Sequence, residues 1–185
     1  MAKSRPSKAR LFVALELPEA SRAHVARLLS PDEAWRLVPS ESLHVTLAFL
    51  GWRAEEEIGR IGALTAGAVT GVGPVGLVPA AVRAVPPRRP RLLALDLDDP
   101  ARACGELQGS VSAALAGEGV YEPEKRPFWP HVTLARLRRG HRVAAAPDTG
   151  ALPPAFEADR VVLYRSTLHP DGAVYEPLRA FTLEV

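Results

Sequence analysis

Hydrophobic and polar residues alternate in several short stretches of the chain, and this pattern predicts β-strands there. "RLFVALELPE" begins at Arg10, and "RLLALDLDDP", which begins at Arg91, has the same length, apolar run and acidic ending. Each is followed by a segment with apolar residues at helical spacing, "PEASRAHVARLLS" or "PARACGELQGSVSAALAG". A second strand phrase then follows in each half, "HVTLAFL" at His44 and "HVTLARL" at His131. The order strand, helix, loop and histidine strand occurs twice, which indicates an internal duplication.

The remaining segments add one helix and several strands. A helix is predicted over 53–71, because early glutamates suit the positive end of a helix dipole and Gly71 marks its end. The turn sequence "HPDG" joins two of the closing strands. Strands are predicted over 74–85, 160–168, 172–180 and 181–185.

These elements predict an α+β fold. We expect two lobes related by a pseudo-twofold axis, with mainly antiparallel sheets that line a central cleft and helices on the outside. Residues 1–9 are expected to form a flexible basic arm. Residues 10–185 are expected to form one domain, whose second half opens near residue 91.

The two histidine strands carry the candidate chemistry. Alternate side chains of a strand share a face, so His44 and Thr46 point one way and Val45 points the other. His131 and Thr133 repeat this arrangement. Two such strands across a cleft place two imidazoles and two hydroxyls around one point. The alternative is that both segments are simply typical strand sequences whose histidines have no catalytic role. A repeat that keeps the polar residues as well as the apolar ones favours a functional role for the histidines.

Two opposed imidazoles suit acid–base catalysis of a displacement at phosphorus. One imidazole removes a proton from the attacking oxygen and the other protonates the leaving oxygen. Hydroxyl donors stabilise the charge that builds on the non-bridging oxygens. Metal binding is the weaker alternative, since no further ligand lies at metal-like spacing from either histidine. No metal or cofactor is therefore expected, and His24, His141 and His169 are predicted to be surface residues.

Composition narrows the class of protein. The 185 residues are 47% hydrophobic, carry a net charge of +2 and include no apolar run of about 18 residues, so we expect no membrane span. The first ten residues lack the apolar segment of a signal peptide, and the single cysteine, Cys104, is predicted to be a packed apolar residue. A cytoplasmic monomer is the expectation. Basic residues cluster in "PPRRPR" and over 125–142, which indicates either a solvated surface or a phosphate-bearing substrate.

The paired phrases "HVTLAFLG" and "PHVTLAR", the opening "RLFVALELPE" and the "RPFWPH" lead-in resemble a known family. The family comprises the bacterial and archaeal RNA 2′,3′-cyclic phosphodiesterases, also called 2′-5′ RNA ligases, of the two-histidine phosphoesterase superfamily. The resemblance covers almost the whole chain from Arg10. It implies metal-independent opening of a terminal RNA 2′,3′-cyclic phosphate to a 2′-phosphate, with 2′-5′ ligation as the reverse reaction.

The resemblance also implies roles for residues. His44 matches the proton donor to the departing 3′ oxygen, and His131 matches the base that activates water. Thr46 and Thr133 would bind the phosphate oxygens. Arg136 matches a further phosphate-binding arginine, although strict alternation from His131 puts it on the opposite face unless the strand bulges.

Two aromatic residues are open to two interpretations. Alternation places Phe49 in the core, and base stacking is the alternative if it reaches the cleft. Phe128 would either stack on a base at the cleft edge or anchor a loop. Two rival functions also stay open at this point: a non-catalytic module that binds RNA ends, and an enzyme of the same superfamily that acts on another small cyclic phosphate.

Overall fold

A single mainly antiparallel β-sheet forms the centre of the molecule. The computed structural model describes residues 7–30, 32–143, 147, 149–170 and 172–185. The strands in these residues are β1 (Lys8–Glu16), β2 (Trp35–Leu37), β3 (His44–Ala54), β4 (Val75–Val85), β5 (Leu92–Asp98), β6 (His131–Leu137), β7 (Phe156–Ala158), β8 (Arg160–His169) and β9 (Gly172–Thr182). Their order in the sheet is β7-β4-β5-β6-β3-β1-β8-β9, and β2 pairs with β6.

Three α-helices occur in the described part of the chain. They are α1 (Glu19–Ala26), α2 (Ile58–Val69) and α3 (Ala103–Gly117), and short 3-10 turns occur at Ser40–Ser42 and Glu55–Glu57. The α+β class and the antiparallel sheet predicted from the sequence are confirmed. In both halves, an opening strand and a helix precede the histidine strand, as β1, α1 and β3 or as β5, α3 and β6.

The two halves pair their strands in the same register. Glu16 of β1 lies opposite His44 of β3, and Asp96 of β5 lies opposite His131 of β6. The strands β3 and β6 then pair with each other, antiparallel, at Val45 and Val132. Equivalent residues of the two halves therefore meet at the middle of the sheet. This equivalence fits a duplicated chain, while the division into two lobes stays a prediction.

The main core lies between one face of the sheet and the helices. Alternation along the four central strands sends apolar residues into this core, and one example from each strand is at most 1% exposed: Leu15, Val45, Leu95 and Val132. Burying a leucine side chain stabilises a fold by about 1.5–3 kcal/mol. Helix α3 adds Cys104, Leu107, Val111 and Leu115. Burial raises the pKa of the Cys104 thiol to about 12, so Cys104 packs as an apolar residue, as predicted.

Two sequence-based assignments of secondary structure need correction. The glutamates expected to open the second helix form the 3-10 turn Glu55–Glu57, and α2 begins only at Ile58. The two strands predicted over 172–180 and 181–185 are one strand, β9, which ends at Thr182. Its internal Pro177 is tolerated because β9 is the last strand of the sheet and needs no further partner.

The first strand begins earlier than the predicted domain boundary. Lys8 and Ala9 belong to β1, where they pair with β3, rather than to a flexible arm. Positions 1–6 of the predicted arm lie outside the described residues. In the described residues, no helix is long and apolar enough to cross a membrane.

Candidate active site

The two histidine strands lie side by side, and their polar residues share one face. Val45 and Val132, where the strands pair, are buried in the main core. Because side chains alternate, the residues next to each valine point to the opposite face of the sheet. These residues are His44, Thr46, His131 and Thr133, and all four are half-buried. The sequence-based expectation that the histidines and threonines share a face therefore describes the structure.

Equivalent hydrogen bonds orient the two imidazoles. His44 Nδ1 lies 2.7 Å from the carbonyl oxygen of Ser42, and His131 Nδ1 lies 2.8 Å from that of Trp129. A carbonyl oxygen only accepts hydrogen bonds, so we assign the proton to Nδ1 in both rings. The Nε2 atoms are then free to take up a proton. The Thr46 hydroxyl donates to His44 Nε2 over 3.1 Å.

A β-bulge in each histidine strand changes the alternation after the threonine. In β3, the register against β1 skips Leu47, and in β6, the register against β5 skips Leu134. One extra residue reverses the faces of the residues beyond it. Phe49 and Arg136, each five residues after the histidine of its strand, therefore turn to the histidine face. Both line the same cavity as His44.

The bulges decide two of the open assignments. Arg136 lies in the cleft, as the family resemblance implies and strict alternation does not. The expectation that Phe49 belongs to the core is wrong, because its side chain is 43% exposed in the cleft. Phe128, by contrast, is partly buried against the main core, which favours the loop-anchor interpretation over base stacking.

The cleft has a volume of about 400 Å³ and a basic lining. Among the described residues that line it are His44, both motif threonines and three arginines, and none is acidic. An open cavity with this lining attracts anions. The three arginines are Arg10, Arg36 and Arg136.

Two of these arginines were missed by the sequence analysis. Arg10 donates to the hydroxyl of Ser166 over 3.0 Å, and its guanidinium lies 4.5 Å from the centre of the Phe49 ring. Strand alternation along β1 could have identified Arg10, since Arg10 shares a face with Phe12. Arg36 lies on β2, a three-residue strand too short to be predicted. His169 is exposed, as expected, but it lies at the rim of the cleft.

His44 is neutral at pH 7. Burial lowers its pKa from 6.5 to about 4, and the electrostatic influence of the neighbouring His131 and Arg136 acts in the same direction, whereas the hydrogen bond to Ser42 opposes it. Aromatic rings supply much of this burial. The Phe12 and Tyr175 rings lie 4.9 and 5.4 Å from the imidazole, centre to centre.

The lowered pKa predicts a loss of stability in mild acid. Between about pH 6.5 and about pH 4, the unfolded chain binds a proton at His44 that the folded protein excludes, so unfolding becomes easier as the pH falls. The expected contribution is at most ~3 kcal/mol. Urea unfolding across this range, compared for the wild type and His44→Gln, measures it. If the free energy of unfolding changes with pH in the same way for the two proteins, the fold does not hold His44 neutral.

His131 has a different environment. The Trp129 indole stacks on its ring, with centres 4.0 Å apart and planes 13° apart, and the indole N–H donates to Asp96 over 2.9 Å. Asp96 is almost fully buried and also forms an ion pair with Arg83. This carboxylate therefore positions the indole that covers one face of the imidazole. In the described residues, no cluster of three or more His, Cys, Asp or Glu side chains is arranged to bind a metal ion.

Comparisons with known proteins agree with the geometry. A family model described as the 2′-5′ RNA ligase superfamily matches residues 12–170. An RNA 2′,3′-cyclic phosphodiesterase of Thermus thermophilus is 33% identical, over 94% of this chain and 90% of its own length. The protein of that name from Escherichia coli is 30% identical, over 94% and 96%.

Solved structures share the fold. A crystal structure of a Thermus thermophilus protein superposes with a TM-score of 0.75 at 33% identity, over 94% of this chain and 97% of that one. Escherichia coli LigT complexed with 3′-AMP superposes with a TM-score of 0.75 at 27% identity, over 96% and 99%.

Proposed function

This chain belongs to the 2′-5′ RNA ligase superfamily, and we propose that it hydrolyses the terminal 2′,3′-cyclic phosphate of RNA to a 2′-phosphate. The relatives named RNA 2′,3′-cyclic phosphodiesterase align over nearly the whole chain, which supports this reaction. The proposed chemistry uses the two histidines and no metal ion.

One observation carries the proposal: the duplicated His and Thr pairs share one face of the sheet, beside a basic cleft that His44, Thr46 and Thr133 line. Each imidazole has its Nδ1 proton committed to a carbonyl, so each offers Nε2 to a substrate. Such a pair serves as acid and base in one reaction, whereas an RNA-binding module needs only positive charge. The arrangement therefore favours an enzyme.

The proposed step is a displacement at phosphorus. Water attacks the cyclic phosphate, and His131 takes one of its protons as the new P–O bond forms. The bond from phosphorus to the 3′ oxygen breaks, and His44 gives its proton to that oxygen, which leaves the phosphate on the 2′ oxygen. The hydroxyls of Thr46 and Thr133 donate to the non-bridging oxygens, where negative charge increases.

His44 must gain a proton before it can act as the acid. It is neutral at pH 7 before substrate binds, because burial lowers its pKa to about 4. A bound phosphate diester brings a negative charge, which raises the pKa of a nearby imidazole. We propose that substrate binding thus draws the proton onto His44 Nε2, in place of the Thr46 hydrogen bond. The Thr46 hydroxyl is then released to bind a phosphate oxygen.

The residues that the two bulges bring into the cleft are Arg136 and Phe49, so the two sides of the cleft differ chemically. We propose that the Arg136 guanidinium binds a phosphate oxygen, since its planar fork matches the geometry of phosphate. Phe49 supplies an exposed ring at the equivalent position, and a nucleobase would stack on the ring face that Arg10 leaves open. In ligation, a 5′-hydroxyl would replace water as the nucleophile on the cyclic phosphate, so His131 would still act as the base and His44 as the acid.

The proposed reaction predicts a product isomer and insensitivity to chelators. An oligoribonucleotide that ends in a 2′,3′-cyclic phosphate should be converted, in the presence of excess EDTA, to the 2′-phosphate alone. Phosphorus NMR of the product, compared with synthetic 2′- and 3′-phosphate standards, identifies the isomer. A 3′-phosphate product would show that the acid lies on the other side of the phosphorus.

The same assay separates the rival functions. Salt-sensitive binding of the oligonucleotide without turnover would indicate an RNA-binding module. Turnover of small cyclic phosphates but not of the oligonucleotide would indicate another substrate of the same superfamily. The monomeric state and the cytoplasmic location stay predictions.

A further inference from the structure

A second basic cavity lies at the end of the sheet where β6 stops. Its volume is about 430 Å³, and it shares no lining residue with the cleft. The β4–β5 connection contributes one side and the segment after β6 contributes the other. Its charged or titratable lining residues, within the described part of the chain, are Arg88, Arg89, Arg91, His141 and Arg142, and none is acidic.

The arginines of this cavity are held close together without partners. None of the four forms an ion pair with a described residue, and all four are exposed. Backbone hydrogen bonds hold Arg91 at the end of the sheet: its N–H donates to the Val85 carbonyl over 2.8 Å, and Leu137 N–H donates to the Arg91 carbonyl over 2.9 Å. Grouped guanidinium ions repel one another, and an anion with several phosphates relieves that repulsion.

The second cavity is close to the cleft along β6. Arg136 lines the cleft, whereas the next residue, Leu137, points to the opposite face of the sheet and lines the second cavity, so the two cavities meet around the end of β6. Leu137 is four positions from Thr133, which corresponds to about 13 Å along a strand. An RNA whose 3′ end occupies the cleft must lead its backbone out of it, and a few nucleotides of single strand span this distance.

We propose that the second cavity binds backbone phosphates of the single-stranded RNA that precedes the cyclic end. This inference rests on the proposed function and makes its substrate class an oligonucleotide rather than a mononucleotide. The Arg–phosphate contacts are independent of base sequence, so they add affinity without adding sequence specificity. The catalytic step itself does not involve them.

The test compares a long and a short substrate. Arg89→Ala/Arg142→Ala removes one guanidinium from each side of the cavity, and Arg27→Ala/Arg60→Ala is the matched control, which removes the same charge from residues that line neither cavity. The substrates are a 12-nucleotide RNA and a dinucleotide with the same 2′,3′-cyclic phosphate end. For the cavity variant, kcat/KM on the 12-mer should fall by ~10-fold relative to the control, with a weaker dependence on salt. The dinucleotide should be hydrolysed at the wild-type rate.

Every other outcome of this comparison also supports or overturns the inference. Equal kcat/KM on the 12-mer for the two variants would overturn the inference and favour an acidic protein as the occupant. An equal loss on both substrates would also overturn it, because the variant would then act on the catalytic centre. If the wild type hydrolyses neither substrate, the proposed function fails, and fluorescence anisotropy with a 12-mer that ends in a 2′-phosphate tests the cavity alone. Weaker binding by the cavity variant than by the control supports the inference there, and equal binding overturns it.

Discussion

Alanine at His44 or at His131 is expected to lower kcat on a 2′,3′-cyclic phosphate by ~10²–10⁴-fold, because each imidazole supplies one proton transfer in the transition state. KM should change much less, since the threonines and arginines of the cleft still bind the phosphate. The kcat of the double variant should be only slightly lower than that of the less active single variant, because the two groups act in one concerted step. Single-turnover assays of purified variants measure these rates.

A matched control and an activated substrate sharpen this prediction. His24→Ala changes an exposed histidine of α1 that does not line the cleft, and it should leave kcat unaltered. A phosphodiester with a 4-nitrophenolate leaving group needs no proton on departure. It should therefore restore much of the activity to the variant that lacks the acid, His44→Ala, but not to His131→Ala. Full activity of either alanine variant on the cyclic substrate would exclude the two-histidine mechanism, and rescue of the other variant would reverse the roles.

The sequence was sufficient to predict the centre of this site because the chain repeats itself. A single "HVTL" is typical of any half-buried strand, but a second copy with the same polar residues implies that those side chains have a shared function. Strand alternation then places His44 with Thr46 and His131 with Thr133 on one face. The observed register, which sets Glu16 opposite His44 and Asp96 opposite His131, follows the same repeat.

The sequence was insufficient where backbone irregularity or distant packing decides. Nothing in the letters of "TLAFL" or "TLARL" shows that the strand bulges at the leucine, yet this extra residue brings Phe49 and Arg136 into the cleft. The contacts of Trp129 cannot be predicted from the sequence for a related reason. Its carbonyl orients His131 and its indole reaches Asp96, a contact between residues 33 positions apart that no local pattern records.

The environments of the two histidines also depend on tertiary packing. Phe12 lies on β1 and Tyr175 on β9, and their rings close around His44 only once the sheet has formed. This aromatic surrounding lowers the pKa of His44, whereas His131 has an indole on one face instead. The two copies of the motif are thus alike in the hydrogen bond at Nδ1 and different in their aromatic neighbours. Under the proposed mechanism, this difference in surroundings distinguishes the acid from the base.

Valine at Thr46 or at Thr133 is expected to lower kcat by ~10²–10³-fold, the range measured when one donor to a developing oxyanion is removed. Valine is also β-branched and close in size, so the strand and its neighbours should keep their structure. Serine retains the hydroxyl, and Thr46→Ser and Thr133→Ser should keep most of the activity. Thermal unfolding of all four variants checks that the fold is retained.

The two threonines should differ in their effect on His44. The Thr46 hydroxyl bonds to His44 Nε2, so Thr46→Val removes a partner of the proposed acid as well as a proposed phosphate ligand. Thr133 has no such bond among the described contacts, so Thr133→Val should remove the phosphate ligand alone. The pH dependence of kcat/KM, measured for both valine variants, should therefore shift for Thr46→Val and match the wild type for Thr133→Val. Equal activity of the valine and serine variants would show instead that the hydroxyls do not bind the phosphate, which would leave Arg136 and the other cleft arginines to stabilise its charge.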